Sequence, residues 1–493
     1  MSQRRWTAHC SIVRTEITSP SIESPNFPLT PKDAAVTDTP SSSSSPTNPP
    51  PGVDPVQERR VLVAGTVGSV VEWYDFGLFG AASALVIGPL FFSSDLSPSA
   101  ATLAAFATFA VGFFARPVGG MLIANFGDKI GRKPALIFTL VLMGASTFLM
   151  GCLPTYDEIG LWAPALLVFL RLLQGAGAGA ELAGTFTIIS ETIRPSRRAF
   201  GTAVPNGATA IGTALGVVTF LVVALLPGDV FLTWGWRIPF LFSAVILFVA
   251  VFIRNKVEEA PEFLAAKERA ERKAEKRVPV LALLRGHWRS VLVGFGVMVG
   301  HQAMTYITTT FALSYITTTL DMPRSVALTA SLTASIVGAV LCACFGLLAD
   351  RIGVYHRVIT FGAAYCMLMA FPMFALLDTR VPVLIGVALV LTYSVSFGAM
   401  GGAQGAFLVG LFPPDVRFSG VALCRELSGT LVGGPAPLVA ASLVIAAGGS
   451  PWPVAMMLAA CCAVTLVSLA VARARIRRGT AHVEPSATVA RAG

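Results

Sequence analysis

Glu72 and Asp75 stand in the run Glu72-Trp73-Tyr74-Asp75-Phe76, inside a stretch from about 61 to 92 that carries no other charge. Their spacing puts both carboxyls on one face of a helix. An apolar run of that length spans a bilayer, where an ionised acid costs several kcal/mol, so the shared face must turn away from lipid. Taking a carboxylate out of water and setting a second beside it both favour the protonated form, which is the condition for carrying a proton. The alternative is a pair of acids neutralised by buried arginines. Two arginines are available, Arg116 in Arg116-Pro117-Val118-Gly119-Gly120 and Arg171, which opens a run ending at Glu181. An arginine cannot discharge, so it needs a carboxylate from the protein or from a solute. About 15 Å of helical rise separates Arg171 from Glu181, too far for direct pairing. Opposite directions of travel bring Glu181 to the depth of Arg116, which leaves that cross-helix pair open, with a purely structural role for either residue as the alternative.

A second set of polar residues lies later in the chain. His301, Gln302 and Tyr306 sit about a turn apart in an apolar segment, enough to line a polar cavity, although a histidine satisfied by helix packing explains His301 equally well. Arg425 and Glu426 are adjacent, so on a helix they diverge by about 100°, one toward a cavity and the other sideways. Between the apolar runs, Gly127-Asp128-Lys129-Ile130-Gly131-Arg132-Lys133 reads as a short polar turn at a membrane face. Ala349-Asp350-Arg351-Ile352-Gly353 repeats its first part after another long apolar run, which predicts two related halves.

The elements that must position these residues are membrane helices. The 493 residues are 54% hydrophobic and 13% charged, outside the range of a soluble domain. Apolar runs cover approximately 61–92, 100–124, 135–153, 161–189, 203–226, 236–254, 290–317, 325–348, 358–377, 382–411, 418–447 and 452–472. The net charge of +9 raises nucleic acid as a partner, but the cations gather in alternate loops while the opposite loops carry only Arg324 and Arg380. That bias places both termini in the cytoplasm and accounts for the basic charge without an anionic partner.

Residues 1–58 are rich in Ser, Thr and Pro and are expected to be a disordered cytoplasmic tail; an upstream start codon is the alternative. They lack the apolar run of a secretory signal, so the first hydrophobic element is expected to be retained. The divisions expected next are a first half at 59–254, a charged cytoplasmic linker at 255–288, a second half at 289–472 and a basic tail at 473–493. The eight cysteines show no metal-type spacing and suit packing. No cofactor and no metal are expected.

These motifs resemble the major facilitator superfamily, and within it the metabolite:proton symporters that include shikimate, α-ketoglutarate and proline/betaine transporters. The resemblance runs over roughly residues 60 to 475 and rests on Glu72 to Phe76, Phe106 to Ala110, Arg116 to Gly120, the Gly127 to Lys133 turn, Arg171 through Glu181, and Trp234 to Phe240. It implies an all-α membrane protein of twelve transmembrane helices in two six-helix bundles that rock about a central site. It also implies proton-binding roles for Glu72 and Asp75 and roles in substrate binding or coupling for Arg116 and Arg171; the reading of the residues adds Glu181 to the proton-coupling set, and Tyr74, His301, Gln302, Tyr306, Arg425 and Glu426 to the substrate-binding set. Gating falls to Gly127, Asp128, Arg132, Asp350 and Arg351. Arg425-Glu426 stands where many members carry Tyr-Gln or Tyr-Asn, so no member's substrate transfers by name.

The function expected is proton-driven import of a small polar metabolite, an organic acid, by a monomer in the cell membrane. A zwitterion symporter of the proline/betaine kind is the alternative within the class, and a nutrient sensor that binds without transporting is the alternative outside it. An enzyme is not expected, because no nucleophile-base motif, phosphate loop or metal spacing is present.

Overall fold

The computed structural model describes residues 55–130, 132–179, 181–227, 230–256, 280–414 and 416–477. The regular elements among them are helical, as hydrocarbon requires of runs whose backbone groups find no water to bond. In chain order they are α1 (Pro55–Leu85), α2 (Pro98–Ile130), α3 (Arg132–Cys152), α4 (Trp162–Gly177), α5 (Glu181–Thr192), α6 (Arg198–Val223), α7 (Arg237–Lys256), α8 (Val280–Tyr306), α9 (Arg324–Ile352), α10 (Tyr355–Leu377), α11 (Pro382–Leu389), α12 (Val395–Gly410), α13 (Arg417–Ser428), α14 (Ala436–Ala446) and α15 (Trp452–Arg477). Single π-turns interrupt them at Ile307–Phe311, Tyr315–Thr319, Val390–Ser394 and Gly429–Gly433. Among the described residues nine helical stretches are long and apolar enough to cross a membrane, and Phe138–Cys152 and Trp162–Gly177 are shorter apolar ones.

Polarity is inverted relative to a water-soluble protein. Phe248, Leu368 and Val467 are 70%, 72% and 63% exposed, whereas Glu72, Arg116 and Arg171 are buried. An apolar solvent around the molecule is the arrangement under which that distribution is stable.

Close packing comes from small residues. Gly119 lies against the backbone of Ala176, and Gly175 against that of Gly112, so α2 and α4 touch where any Cβ would overlap. The residues before and after the 257–279 stretch meet mainly through α6, which packs along α9 and α12. Hydrogen bonds cross this interface at several depths. Thr430 donates to the carbonyl of Phe113 at 3.0 Å, and the Cys342 thiol donates to that of Ala203 at 3.4 Å.

Several boundaries move. α1 begins at Pro55, inside the expected tail, and its Glu58 is held by Arg194 in an ion pair of 3.2 Å. The helical run from Val280 is kinked at His287, where φ is −130° and ψ 20°, so its unbroken part starts at the end of the expected linker, and α15 runs on to Arg477, into the expected C-terminal tail. What remains of both, and residues 1–54, lies outside the described residues. The Gly127–Lys133 stretch is mostly helical, since α2 reaches Ile130 and α3 starts at Arg132. Backbone hydrogen bonding carries a helix on into the polar layer until something stops it, and charge alone does not. In the second copy the stop is visible: Gly353 takes φ +68° and donates to the carbonyl of Ala349 at 2.9 Å, a left-handed cap that glycine adopts without strain.

Candidate functional site

Arg116 is the centre of the buried charge. Its Nη2 donates to Glu72 Oε1 at 3.1 Å and its Nε to Glu426 Oε2 at 3.2 Å. The planar fork of guanidinium donors allows this double engagement, which a lysine could not copy. Glu72 comes from α1 and Glu426 from α13, so one side chain ties the two ends of the chain together. The rings of Phe76 and Phe113 lie 4.9 and 5.8 Å from the guanidinium and complete its walls. The neighbouring Arg425 points elsewhere, over the ring of Phe186 at 5.0 Å and onto a central space.

Arg171 and Asp75 form a separate locus inside the first half. The Arg171 guanidinium lies 4.1 Å from the Phe79 ring centre, 5.0 Å from that of Phe76 and 5.4 Å from that of Phe109. It donates to the Gln174 side-chain oxygen and, at 3.4 Å, to the carbonyl of Phe109. Gln174 in turn donates to the hydroxyl of Thr147 at 2.8 Å. Gly112 makes room for it, because a Cβ there would stand 2.5 Å from Arg171 Nε. Asp75 makes no ion pair among the described residues; it faces Thr147 and feels the Arg171 charge. Glu72, Asp75, Glu426, Arg116, Arg171 and Arg425 therefore gather in the described interior, and Glu58 and Arg417 are buried as well.

The central space is bounded by Trp73, Asn206, His301, Gln302, Tyr393 and Arg425, and amounts to about 20 Å³. That admits a water molecule, not a metabolite. The Trp73 indole nitrogen, His301 Nδ1 and the Tyr306 hydroxyl are buried without a hydrogen-bond partner among the described residues. Buried donors and acceptors of this kind cost free energy unless a water or solute meets them. One wall is aromatic, with Phe397 at 5.0 Å from Tyr393 and 5.3 Å from His301 between ring centres.

The residues singled out in the sequence separate accordingly. Glu72, Arg116 and Glu426 converge in one ion-pair network, and His301, Gln302 and Arg425 line the adjoining space. Tyr306 packs edge-on against Phe109 and Phe113 beside it. Tyr74 does not face this space, because its hydroxyl donates to the carbonyl of Pro239 on α7 at 2.9 Å. Arg171 is walled off by its rings. The side chains of Glu181, Gly127, Asp128 and Arg132 lie outside the described residues, and Arg116 takes its partners from Glu72 and Glu426. Asp350 accepts the backbone N–H groups of Ala199 and Phe200, at 2.9 and 2.8 Å, at the start of α6. Arg351 beside it is exposed. Trp73, Asn206, Tyr393 and Phe397 were not singled out as cavity residues. For Asn206 the sequence offers a signal, an amide within an apolar run beside Pro205.

Comparison with known proteins gives a consistent answer. The family model for the Major Facilitator Superfamily matches residues 67–437. The shikimate transporter of Escherichia coli is 35% identical over 411 residues, 83% of this chain and 93% of the relative. The inner membrane metabolite transport protein YhjE of the same organism is 34% identical over 84% of this chain and 94% of its own. The proline/betaine transporter of E. coli is 31% identical over 80% and 79%. Among solved structures, the partially occluded inward-open xylose transporter XylE from E. coli aligns with a TM-score of 0.64 at 16% identity, over 84% of this chain and 96% of the other, a likeness of fold alone. The chain belongs to the Major Facilitator Superfamily.

Proposed function

We propose that this transporter imports a small organic acid together with a proton, by alternating access between two six-helix bundles spanning 59–254 and 289–472. In this reading both termini are cytoplasmic. The observation that carries it is the buried Arg116, shared between Glu72 and Glu426. A solute carboxylate that reaches Arg425 and Arg116 competes with Glu426 for the fork. Its charge adds one negative unit to the interior and leaves Glu426 without its guanidinium, and a site of low dielectric penalises such an unpaired charge. Protonation of one carboxyl cancels the added charge. Asp75 is the candidate carrier, since no guanidinium holds it in an ion pair, with Glu72 and Glu181 as the others of the coupling set. Release of Glu426 removes a strut between the halves, so α6 can part from α9 and the central space can grow to solute size.

A zwitterion of the proline or betaine kind brings its own cation and leaves the balance unchanged, so it would need no proton for neutrality. Relatives named for those solutes keep this second reading in play. Purified full-length protein in proteoliposomes separates the two. The expected result is accumulation of hydroxylated carboxylic acids, shikimate among those tried, that collapses with a protonophore. Accumulation of betaine or proline alone, with no carboxylic acid taken up, would overturn the organic-acid reading.

A further inference from the structure

A groove of about 510 Å³ runs between the start of α10 and the end of α15. Leu466 and Leu469 give it an apolar floor, Thr360 a side wall, and His356, Arg473 and Arg477 a cationic end. Arg473 and Arg477 are spaced one helical turn apart, so both guanidiniums project from the same side of α15. His356 feels the charges of Arg473 and of the adjacent Arg357. Neither Arg473 nor Arg477 has a carboxylate partner among the described residues, and both are exposed. The surrounding surface of α15 is apolar, with Val467 and Val471 63% and 45% exposed, so the groove opens to the lipid and not into the central site.

We propose that this groove holds one anionic phospholipid, its phosphate at Arg473 and Arg477 and an acyl chain along Leu466 and Leu469. The chemistry is amphipathic along the groove: a fork of cations where the headgroup layer begins, and a hydrocarbon floor below it. Basic pockets between membrane helices select anionic headgroups in this way, whereas scattered interfacial cations attract the leaflet without a fixed stoichiometry. A second groove of about 530 Å³ between α9 and α11 is the internal contrast. Ser325, Thr329, Val383 and Val387 line it, with no ionisable side chain, so it has nothing to distinguish one headgroup from another.

Native mass spectrometry of the full chain in detergent, titrated with dioleoylphosphatidylglycerol or dioleoylphosphatidylcholine, tests this. The expected result is one saturable phosphatidylglycerol. In R473Q/R477Q its affinity should fall roughly 30-fold, at about 1 kcal/mol for each cation, with phosphatidylcholine binding unchanged. R473K/R477K keeps both charges and should keep the preference, which separates lost charge from lost fold. Unchanged phosphatidylglycerol binding in R473Q/R477Q would overturn the proposal. So would displacement of the lipid by millimolar inorganic phosphate, because that outcome assigns the cations to a soluble anion.

Discussion

At the scale of single residues, the contrast between Asp75 and Glu72 decides what each can do. Glu72 is fixed by Arg116 at 3.1 Å, while Asp75 has no ion pair among the described residues and faces Thr147 and the Arg171 charge. If proton uptake at Asp75 makes room for a solute anion, wild-type affinity for that anion falls as pH rises, by about tenfold per pH unit for one linked proton. Asp75→Asn imitates the protonated form. Its binding curve should therefore stay flat at the low-pH level, with solute exchange retained and pH-gradient-driven accumulation lost. A variant that still accumulates solute against a gradient would remove Asp75 from coupling. Arg171 tests the opposite kind of role. Its guanidinium stacks among Phe76, Phe79 and Phe109, so Arg171→Lys should lower the thermal unfolding temperature through loss of about 0.5–2 kcal/mol of cation–π and stacking contact. Solute affinity should stay within about twofold of wild type, since no solute reaches it; a large loss of affinity would put Arg171 back in the binding site.

At the scale of elements, the contact of α6 with α9 places a carboxylate at a helix start. Asp350 accepts two N–H groups at the beginning of α6, where unpaired donors and the helix dipole both favour an anion. Asp350→Asn removes the charge and one acceptor, a loss of about 1 kcal/mol in the closed arrangement. Cys342 reports on it from within the same interface, being fully buried and bonded to the Ala203 carbonyl. Maleimide modification of the Cys342 peptide, followed by mass spectrometry, should be several-fold faster in the variant. Equal rates would mean that Asp350 does not hold the interface shut.

At the scale of the whole molecule, the buried charges set how the membrane potential enters. A mono-anion carried with one proton moves no net charge, whereas each uncompensated charge gains or loses about 2.3 kcal/mol per 100 mV. Uptake into proteoliposomes clamped with potassium and valinomycin should follow the pH gradient and ignore voltage. Voltage-driven accumulation at equal pH would show a second cation in the cycle and break the neutrality argument.

The helical membrane architecture was legible in the sequence because hydrocarbon leaves so few options. Twenty apolar residues in a row must bond their own backbone, and a buried charge such as Glu72, Arg116 or Arg171 must find a partner or a cavity. Which partner was a different matter. Depth along neighbouring helices pointed from Arg116 to Glu181, whose side chain lies outside the described residues, and gave no hint that the fork also reaches Glu426, more than three hundred residues away in the chain. Tyr74 stands between two acids and still turns to Pro239, while Asn206, next to a proline in an apolar run, lines the central space. Periodicity assigns a residue to a helix face, but the rotation of that helix against its neighbours follows from small residues such as Gly112, Gly119 and Gly175 meeting other backbones. That contact is settled among all the helices at once, so only the tertiary structure could decide which charges meet.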